Sequence, residues 1–156
     1  MSAAQGLQND FMAAEPHIVA KLREALAGIK PAVHVLTGAD LAAVKEGAQH
    51  TPAVHVLYRG FQVKESRFDG AAARLDHTWA IVCVARNVRN LSSGSDARAE
   101  AGALAAVAGP ALMGWRPPNV AGPMRLADAP PASYSPAGVF YLPLVLRVET
   151  TFQQRS

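Results

Sequence analysis

Histidines are the residues of this chain with the clearest potential for metal binding. His34 and His55 occupy equivalent positions in two identical PAVHVL hexapeptides that lie 21 residues apart. A zinc site needs three or four ligands in tetrahedral geometry. The other nearby histidines, His50 and His77, follow no known ligand spacing. The pattern therefore favours strand histidines that face solvent or a neighbouring subunit, and it predicts no metal site.

Nucleophilic or acid–base catalysis has few candidate residues. Cys83 lies among apolar residues in mid-strand, where burial raises the thiol pKa and favours a structural role. As the single cysteine it allows no intramolecular disulfide and fits a reducing compartment. Asp76 and His77 are adjacent, so on a strand their side chains point to opposite faces.

Phosphate binding has one candidate, the serine-rich loop at residues 92–95, which precedes a predicted helix. A loop that caps the helix explains the same residues without a ligand. No G-x-S-x-G elbow, P-loop, H-E-x-x-H motif or Rossmann glycine fingerprint occurs in the chain. We therefore expect neither an enzyme nor a cofactor.

Length and composition predict one soluble domain. The 156 residues, of which 50% are hydrophobic, suffice for a single core. Residues 1–14 carry no periodic pattern and are expected to form a partly ordered arm, with the domain at residues 15–156. The first residues lack the basic start and apolar run of a signal peptide. No stretch approaches the ~20 apolar residues of a membrane span, so we expect a protein made in the cytoplasm, with no membrane partner.

Positive charge is concentrated in residues 59–89, which hold six basic and three acidic residues and so account for the whole net charge of +3. Arginine outnumbers lysine eleven to four. Guanidinium groups favour interfaces, but a codon bias toward Ala, Gly and Arg would give the same excess. The segment could also belong to a small nucleic-acid-binding module, with Tyr58, Phe61 and Phe68 as stacking groups. The lack of a recognised binding motif counts against that alternative.

The first of the elements that must position these residues is a helix that opens at Glu15-Pro16, because proline is favoured at the first helical position. Its apolar stripe has helical spacing and contains Ile18, Val19, Leu22, Leu26 and Ile29. Pro31 ends this helix, and each PAVHVL hexapeptide begins a strand. Between the hexapeptides, Asp40 is predicted to cap a short helix, LAAVKE.

The middle of the chain predicts two strands and a helix. The second hexapeptide continues as a strand to Val63, with a possible bulge at Gly60, and a turn follows at Asp69-Gly70. The next strand, His77 to Val88, is apolar on both faces, which predicts a central strand covered on both sides. A second long helix, from about Asp96 to Met113, should kink or divide at Gly109-Pro110, with Ser95 or Asp96 as its cap.

The segment from Gly114 to Phe152 combines a helix end, a proline-rich loop and a final strand. The prolines after Trp115 stop a helix, and Trp115 is expected to continue the buried stripe of the second helix. The final strand alternates, with apolar side chains on one face. Pro143 cannot donate to a ladder, so this strand lies at an edge, carries a bulge or loses its pairing there. Together the elements predict an α+β fold: a single mixed or antiparallel sheet packed by two main helices.

The order and spacing of these features resemble the tail terminator proteins of Mu-like bacteriophages. The matching features are the Gly-Trp-Arg-Pro turn at 114–117, Tyr134 before Gly138, and the final strand from Val139 to Thr150. The resemblance extends upstream to the first helix and the middle strands. It implies the same α+β architecture over residues 15–156 and no enzymatic activity.

The resemblance also implies a function in the virion tail, after assembly in the cytoplasm of the bacterial host. Such proteins cap the growing tail tube as a homohexameric ring, end its polymerisation and present a surface for head joining. The implied partners are further copies of the chain, the tail tube protein and the head–tail connector or stopper protein. Phage DNA would pass through the ring without sequence-specific binding. The phage or prophage of origin, and whether its tail contracts, stay open.

Loops and strand ends are expected to supply the ring surfaces, since the core occupies the sheet and helices. Three segments qualify, at residues 60–76, 86–96 and 116–138. The first two are favoured because they hold the excess positive charge and adjoin the same two strands. The candidate interface residues are Arg59, Phe61, Lys64, Arg67, Arg86 and Arg89.

Overall fold

The computed structural model describes residues 9–42, 50–86 and 95–155. These ranges contain three helices and six strands, in the chain order α1 (Glu15–Leu26), β1 (His34–Thr37), α2 (Gly38–Leu41), β2 (Ala53–Ser66), β3 (Ala72–Arg86), α3 (Ser95–Leu112), β4 (Arg125–Ala127), β5 (Ser133–Tyr134) and β6 (Val139–Gln153).

The six strands form one mixed sheet in the order β1-β2-β3-β6-β4, and β5 also pairs with β6. The pair β1–β2 is parallel, and the other pairs are antiparallel. Helices α1 and α3 contact each other and pack on the sheet. The predicted α+β fold is confirmed.

The hydrophobic core lies between the two long helices and one face of the sheet. Helix α1 buries Ile18, Val19, Leu22 and Leu26, as its spacing predicts. The sheet contributes alternate residues of its central strands, among them Trp79, Ile81 and Leu146. Burial of each large side chain stabilises the fold by roughly 1.5–3 kcal/mol relative to exposure.

Strand β3 is central, as predicted, because β2 and β6 pair with its two sides. The expectation of cover on both faces holds in part. In the described ranges, the long helices pack on the face of Trp79 and Ile81 only. On the other face, Val84 is buried in a small cluster with Ala53 and Val139. Neighbouring side chains of the sheet itself contribute to that cluster.

The β2–β3 hairpin is longer than the sequence pattern predicts. The bulge at Gly60 is confirmed: the register shifts between Tyr58 and Gly60, and Gly60 has φ 110°. The predicted turn at Asp69-Gly70 is also confirmed, since Gly70 has φ 75° and its amide donates to the carbonyl of Arg67. However, β3 begins at Ala72 instead of His77. Its first residues pair with the end of β6, and these backbone hydrogen bonds keep them in strand conformation although they lie beyond the hydrophobic core.

Helix α2 begins one turn earlier than the sequence pattern predicts. Its N-cap is Thr37, whose hydroxyl accepts from the amide of Asp40, while the Asp40 carboxylate accepts from the amide of Thr37. Asp40 is therefore the third helical residue of a capping box, and its prediction as the cap itself was wrong. The remainder of the predicted LAAVKE helix, from residue 43, lies outside the described residues.

Helix α3 matches the predicted second helix and continues past Pro110 to Leu112. The two predicted caps, Ser95 and Asp96, are both helical residues, so their prediction as the N-cap was wrong; the residues before Ser95 lie outside the described ranges. Two residues after the helix, Gly114 has φ 77° and donates its amide to the carbonyl of Met124. Trp115 follows, half-buried against the core, with the Lys21 ammonium 5.6 Å from its ring centroid.

Strand β6 has the predicted alternation and extends to Gln153. Pro143 pairs with Val82 of β3 without a register shift on that side. On the opposite edge, β5 pairs with residues 140–141 and β4 with residues 145–147. Pro143 lies in the gap between these two short strands. Of the three alternatives predicted for this proline, a loss of strand pairing is therefore the one observed on this edge.

Candidate functional site

The most exposed part of the described sheet is the distal hairpin, which we define as residues 61–74. Every residue from 61 to 70 is exposed. In the turn, Arg67 bonds Asp69 at 2.8 Å, and the other Asp69 oxygen accepts from the amide of Ala71. These contacts fix the turn and leave the side chain of Phe68 fully exposed. The hairpin therefore presents an aromatic ring between charged groups at the end of the sheet.

The base of the distal hairpin is held by a buried histidine. His77 contacts the hydroxyl of Tyr58 through Nδ1 and that of Thr150 through Nε2, both at 2.8 Å. Burial lowers the pKa of His77, and the neighbouring Asp76 carboxylate opposes that shift. A neutral imidazole satisfies both contacts, since one nitrogen donates and the other accepts.

Residues before α1 pack on this same base. The ring of Phe11 makes edge contacts with Phe61, His77 and Phe152, with centroids 5.0 to 5.3 Å apart. The side chain of Asn9 exchanges two hydrogen bonds with the backbone of Gln153. The described residues 9–14 thus cover the junction between the core and the distal hairpin.

An ionic network lies on the other face of the sheet. The buried Asp76 carboxylate accepts two bonds from one Arg125 nitrogen, at 2.8 and 3.0 Å. Arg125 also lies 3.9 Å from Glu149, which in turn lies 3.6 Å from Arg74. Since Arg125 belongs to β4 and Asp76 to β3, the pair connects two strands across β6.

The structure divides the predicted interface residues between the two ends of the sheet. Lys64 and Arg67 are exposed on the distal hairpin, and Arg59 is exposed where the hairpin leaves the core. Phe61 is exposed on one side and packs against Phe11 on the other. Arg86, half-buried, lies at the opposite end of β3, and Arg89 lies outside the described residues. The five of these residues that the structure describes therefore do not form one surface.

The three aromatic groups of the nucleic-acid alternative have different environments. Tyr58 is half-buried, stacks edge-on against Trp79 and bonds His77, and burial raises its pKa. Phe61 contacts Phe11 and His77. Phe68 alone among the three presents a whole ring to solvent. The arrangement therefore lacks a row of free aromatic faces on which bases could stack.

A cleft at the other end of the sheet had no signal in the sequence. This edge cleft has a volume of about 500 Å³ and is lined by Arg98, Ala99, Ala132, Phe140 and Leu142. The residues come from α3, from the segment before β5 and from β6. Because they are far apart in the chain, local patterns cannot reveal the cleft.

The candidate chemical residues are dispersed. Burial raises the pKa of the Cys83 thiol to about 12, which disfavours the nucleophilic thiolate. The rings of His34 and His50 lie 4.9 Å apart at the surface, whereas His55 is buried and its pKa is lowered by burial. In the described ranges, no group of three or more His, Cys, Asp or Glu side chains could hold a metal ion. The serine-rich loop lies mostly outside those ranges.

No helix of the described residues is both long enough and apolar enough to cross a membrane.

A single mixed sheet with two long helices on one face and a long projecting hairpin defines this α+β protein. The chain belongs to the phage tail terminator protein family, whose sequence pattern matches residues 7–155. The resemblance to tail terminators is thereby confirmed at family level, and the narrower assignment to Mu-like phages stays a prediction. The chain is a structural protein of phage tails.

One solved structure with a similar fold is a chain of the virion of a native gene transfer agent particle. It has a TM-score of 0.53 and 17% sequence identity, over 89% of this chain and 98% of that chain. At this identity the likeness establishes the fold alone. No curated protein matches the chain.

Proposed function

We propose that this protein caps the tail tube as a homohexameric ring, ends tube polymerisation and forms the tail-side surface for head joining. The observation that carries the proposal is the family match, which spans nearly the whole chain. The role is structural, not enzymatic. The partners are other copies of the chain, the tail tube protein and the head–tail connector or stopper, and phage DNA passes through the ring without sequence-specific contacts.

The shape of the subunit supports an assembly role. The distal hairpin exposes ten consecutive residues, which add little to the core. Beyond its pairing with β1, which ends at Val56, β2 has a free outer edge as far as Ser66 in the described structure. Strand edges and exposed loops are the places where a small subunit can contact its neighbours.

The nucleic-acid alternative receives less support from the structure. Two of its three aromatic groups are engaged in intramolecular contacts, as described above. The described basic residues of the segment lie at both ends of the sheet, with Arg86 at the end away from the distal hairpin. A steep fall of DNA affinity with rising salt would revive this alternative, because such a fall reports phosphate contacts.

The test is deletion of the gene from the phage or prophage that carries it, followed by electron microscopy of the tails. We expect tails of uncontrolled length without heads, and normal particles when the wild-type gene is restored. A labelled copy should lie at the head-proximal end of each tail. Label along the tube, or tails of normal length with heads in the deletion strain, would refute the proposal.

A further inference from the structure

The residues just before α1 cross the base of the distal hairpin, and we define residues 9–12 as the N-terminal strap. One end of the strap is bound to the final strand. The side-chain amide of Asn9 donates to the carbonyl of Gln153 at 2.8 Å, and its oxygen accepts from the amide of Gln153 at 2.9 Å. A neighbouring strand makes the same pair of bonds with a residue at a sheet edge. The strap therefore takes the place of a strand at the end of β6.

The second contact of the strap is aromatic and reaches three strands at once. The ring of Phe11 makes edge contacts with Phe61 of β2, His77 of β3 and Phe152 of β6. The centroid distances are 5.0 to 5.3 Å, where aromatic pairs attract one another beyond the effect of area burial. A single side chain thus joins all the long strands of the sheet at the point where the hairpin leaves the core.

The ladder beneath this contact is irregular. Strand β2 shifts its register against β3 twice, once on each side of Phe61. Such bulges bend a strand and increase its twist. The β2–β3 ladder therefore does not fix the direction of the projecting turn by itself, and Phe11 contacts β2 between the two irregular points.

The strap is also continuous with a helix of the core. The amide of Ala13 donates to the carbonyl of Asp10, and the amide of Glu15 donates to that of Met12, both at 3.1 Å. These bonds make the strap a turn that leads directly into α1, whose apolar stripe is buried. The strap therefore connects the base of the hairpin to the helix layer.

We propose that the N-terminal strap is a clamp that holds the distal hairpin in one orientation and so prepares it for its contacts in the assembled tail. With the clamp closed, the hairpin and the helix layer move as one body. With the clamp open, the hairpin bends at its two bulges. Preorganisation of this kind removes part of the ordering cost of a contact. The clamp is a property of the isolated subunit, whereas its role in assembly rests on the proposed function.

Distances between nitroxide labels, measured by double electron–electron resonance, test the clamp on the isolated protein. The test pair joins the turn of the hairpin, at Phe68→Cys, to α1, at Ala20→Cys, and both positions are exposed. The reference pair joins α1 to the end of α3, with Ala20→Cys and the exposed Met113→Cys. Cys83 is buried and common to all variants.

The double substitution Asn9→Ala with Phe11→Ser opens the clamp. We expect the distance distribution of the test pair to widen by about twofold or more, because the hairpin then moves by local opening. The reference pair should keep its width. Phe11→Tyr retains the ring and should keep both distributions narrow. Met12→Ser, at an exposed position of the same strap, is the matched control and should also change neither.

Equal widths of the test pair in the wild type and the double variant overturn the clamp. Equal widening of the test and reference pairs also overturns it, because that result reports a general loss of packing. Urea denaturation of each labelled protein shows that it is folded under the conditions of the measurement. If the double variant does not fold, Asn9→Ala alone, which leaves the aromatic contacts in place, is judged by the same two criteria.

Failure of the clamp is distinguishable from failure of the proposed function. In the phage, the double variant should complete fewer tails than Met12→Ser, as scored by electron microscopy. Normal tail completion by the double variant, despite a widened test pair, overturns the role of the clamp in assembly and retains the function. A widened test pair in a protein whose wild-type form is absent from tail ends retains the clamp and refutes the function.

Discussion

Burial makes one histidine a determinant of stability at the base of the distal hairpin. His77 lies between two hydroxyl groups and against the Phe11 ring, and its pKa is lowered chiefly by burial. The unfolded chain therefore binds a proton near the ordinary value of 6.5, where the folded protein resists it. The stability that neutral His77 contributes is complete above that pH and is lost as the pH falls toward the folded pKa.

We predict that the free energy of unfolding, measured with urea across this range, decreases more steeply with falling pH in the wild type than in His77→Gln. The buried His55, whose pKa is also lowered by burial, keeps part of the slope in the variant. His17→Gln, on the exposed side of α1, is the control. Identical slopes for the wild type and His77→Gln would show that this imidazole does not couple folding to pH.

A second prediction concerns the buried carboxylate of Asp76. Arg125→Ala removes both hydrogen bonds to this carboxylate and leaves it buried without its cation. Because Arg125 is itself partly exposed and water can enter its place, we expect a loss of about 1–3 kcal/mol in unfolding free energy. Arg74→Ala, which breaks the longer pair with Glu149 at the surface, should cost less than about 1 kcal/mol. Equal losses would contradict a special role for Asp76.

Among the elements, the end of α3 depends on Trp115. Trp115 follows the last turn of α3, and its side chain packs against the core but is only half-buried. We expect Trp115→Ala to lower the unfolding free energy by about 2–3 kcal/mol, less than the ~3–5 kcal/mol for the fully buried Trp79→Ala. Thermal and urea denaturation provide the comparison. An unchanged melting temperature for Trp115→Ala would assign the ring to a partner surface.

The sequence predicted best the elements that bury a regular stripe. Helix α1 and strand β6 place apolar residues at the period of their own backbone, so burial within one chain leaves a readable pattern. The outer part of β3 carries no such pattern, because it is held by pairing with β6 and mixes partly buried Ala72 and Ala73 with exposed Arg74 and buried Leu75. Its true start at Ala72 was therefore missed.

The candidate surfaces were predicted less well, for a related reason. The exposed charges of Lys64 and Arg67 were visible in the sequence, but their separation from Arg86 depends on the length of the hairpin. Phe68 was noted only as a stacking group, and the edge cleft depends on the packing of three distant segments. The role of Thr37 as the N-cap of α2 was missed, because the sequence pattern pointed to Asp40, which is the third helical residue of the capping box.

For the whole molecule, the basic groups near the distal hairpin provide a separate test of assembly. Replacing Arg59, Lys64 and Arg67 together with Glu should change stability by less than about 1 kcal/mol, since exposed charges contribute little to folding. The same variant should fail to complete tails, because it reverses the charge of the surface. Tail length and head attachment, scored by electron microscopy beside urea denaturation, provide the measurement.

The matched control for this triple variant is Lys30→Glu, an exposed basic residue after α1, which should support normal tails. If the triple variant also gives tails of normal length with heads, the basic groups of Arg59 and the distal hairpin do not form the surface needed for tail completion. The assignment then moves to the proline-rich segment at residues 116–138.

The length of β3 has a consequence for motion within the subunit. Its inner residues, such as Ile81, lie beneath the helices, whereas its outer residues, such as Ala73, are held mainly by the ladders of the distal hairpin. Amide hydrogens of the inner half should exchange with solvent only when the whole protein unfolds, and those of the outer half through local fraying. The projecting end can therefore adjust its shape to a neighbour while the helix-covered end remains folded.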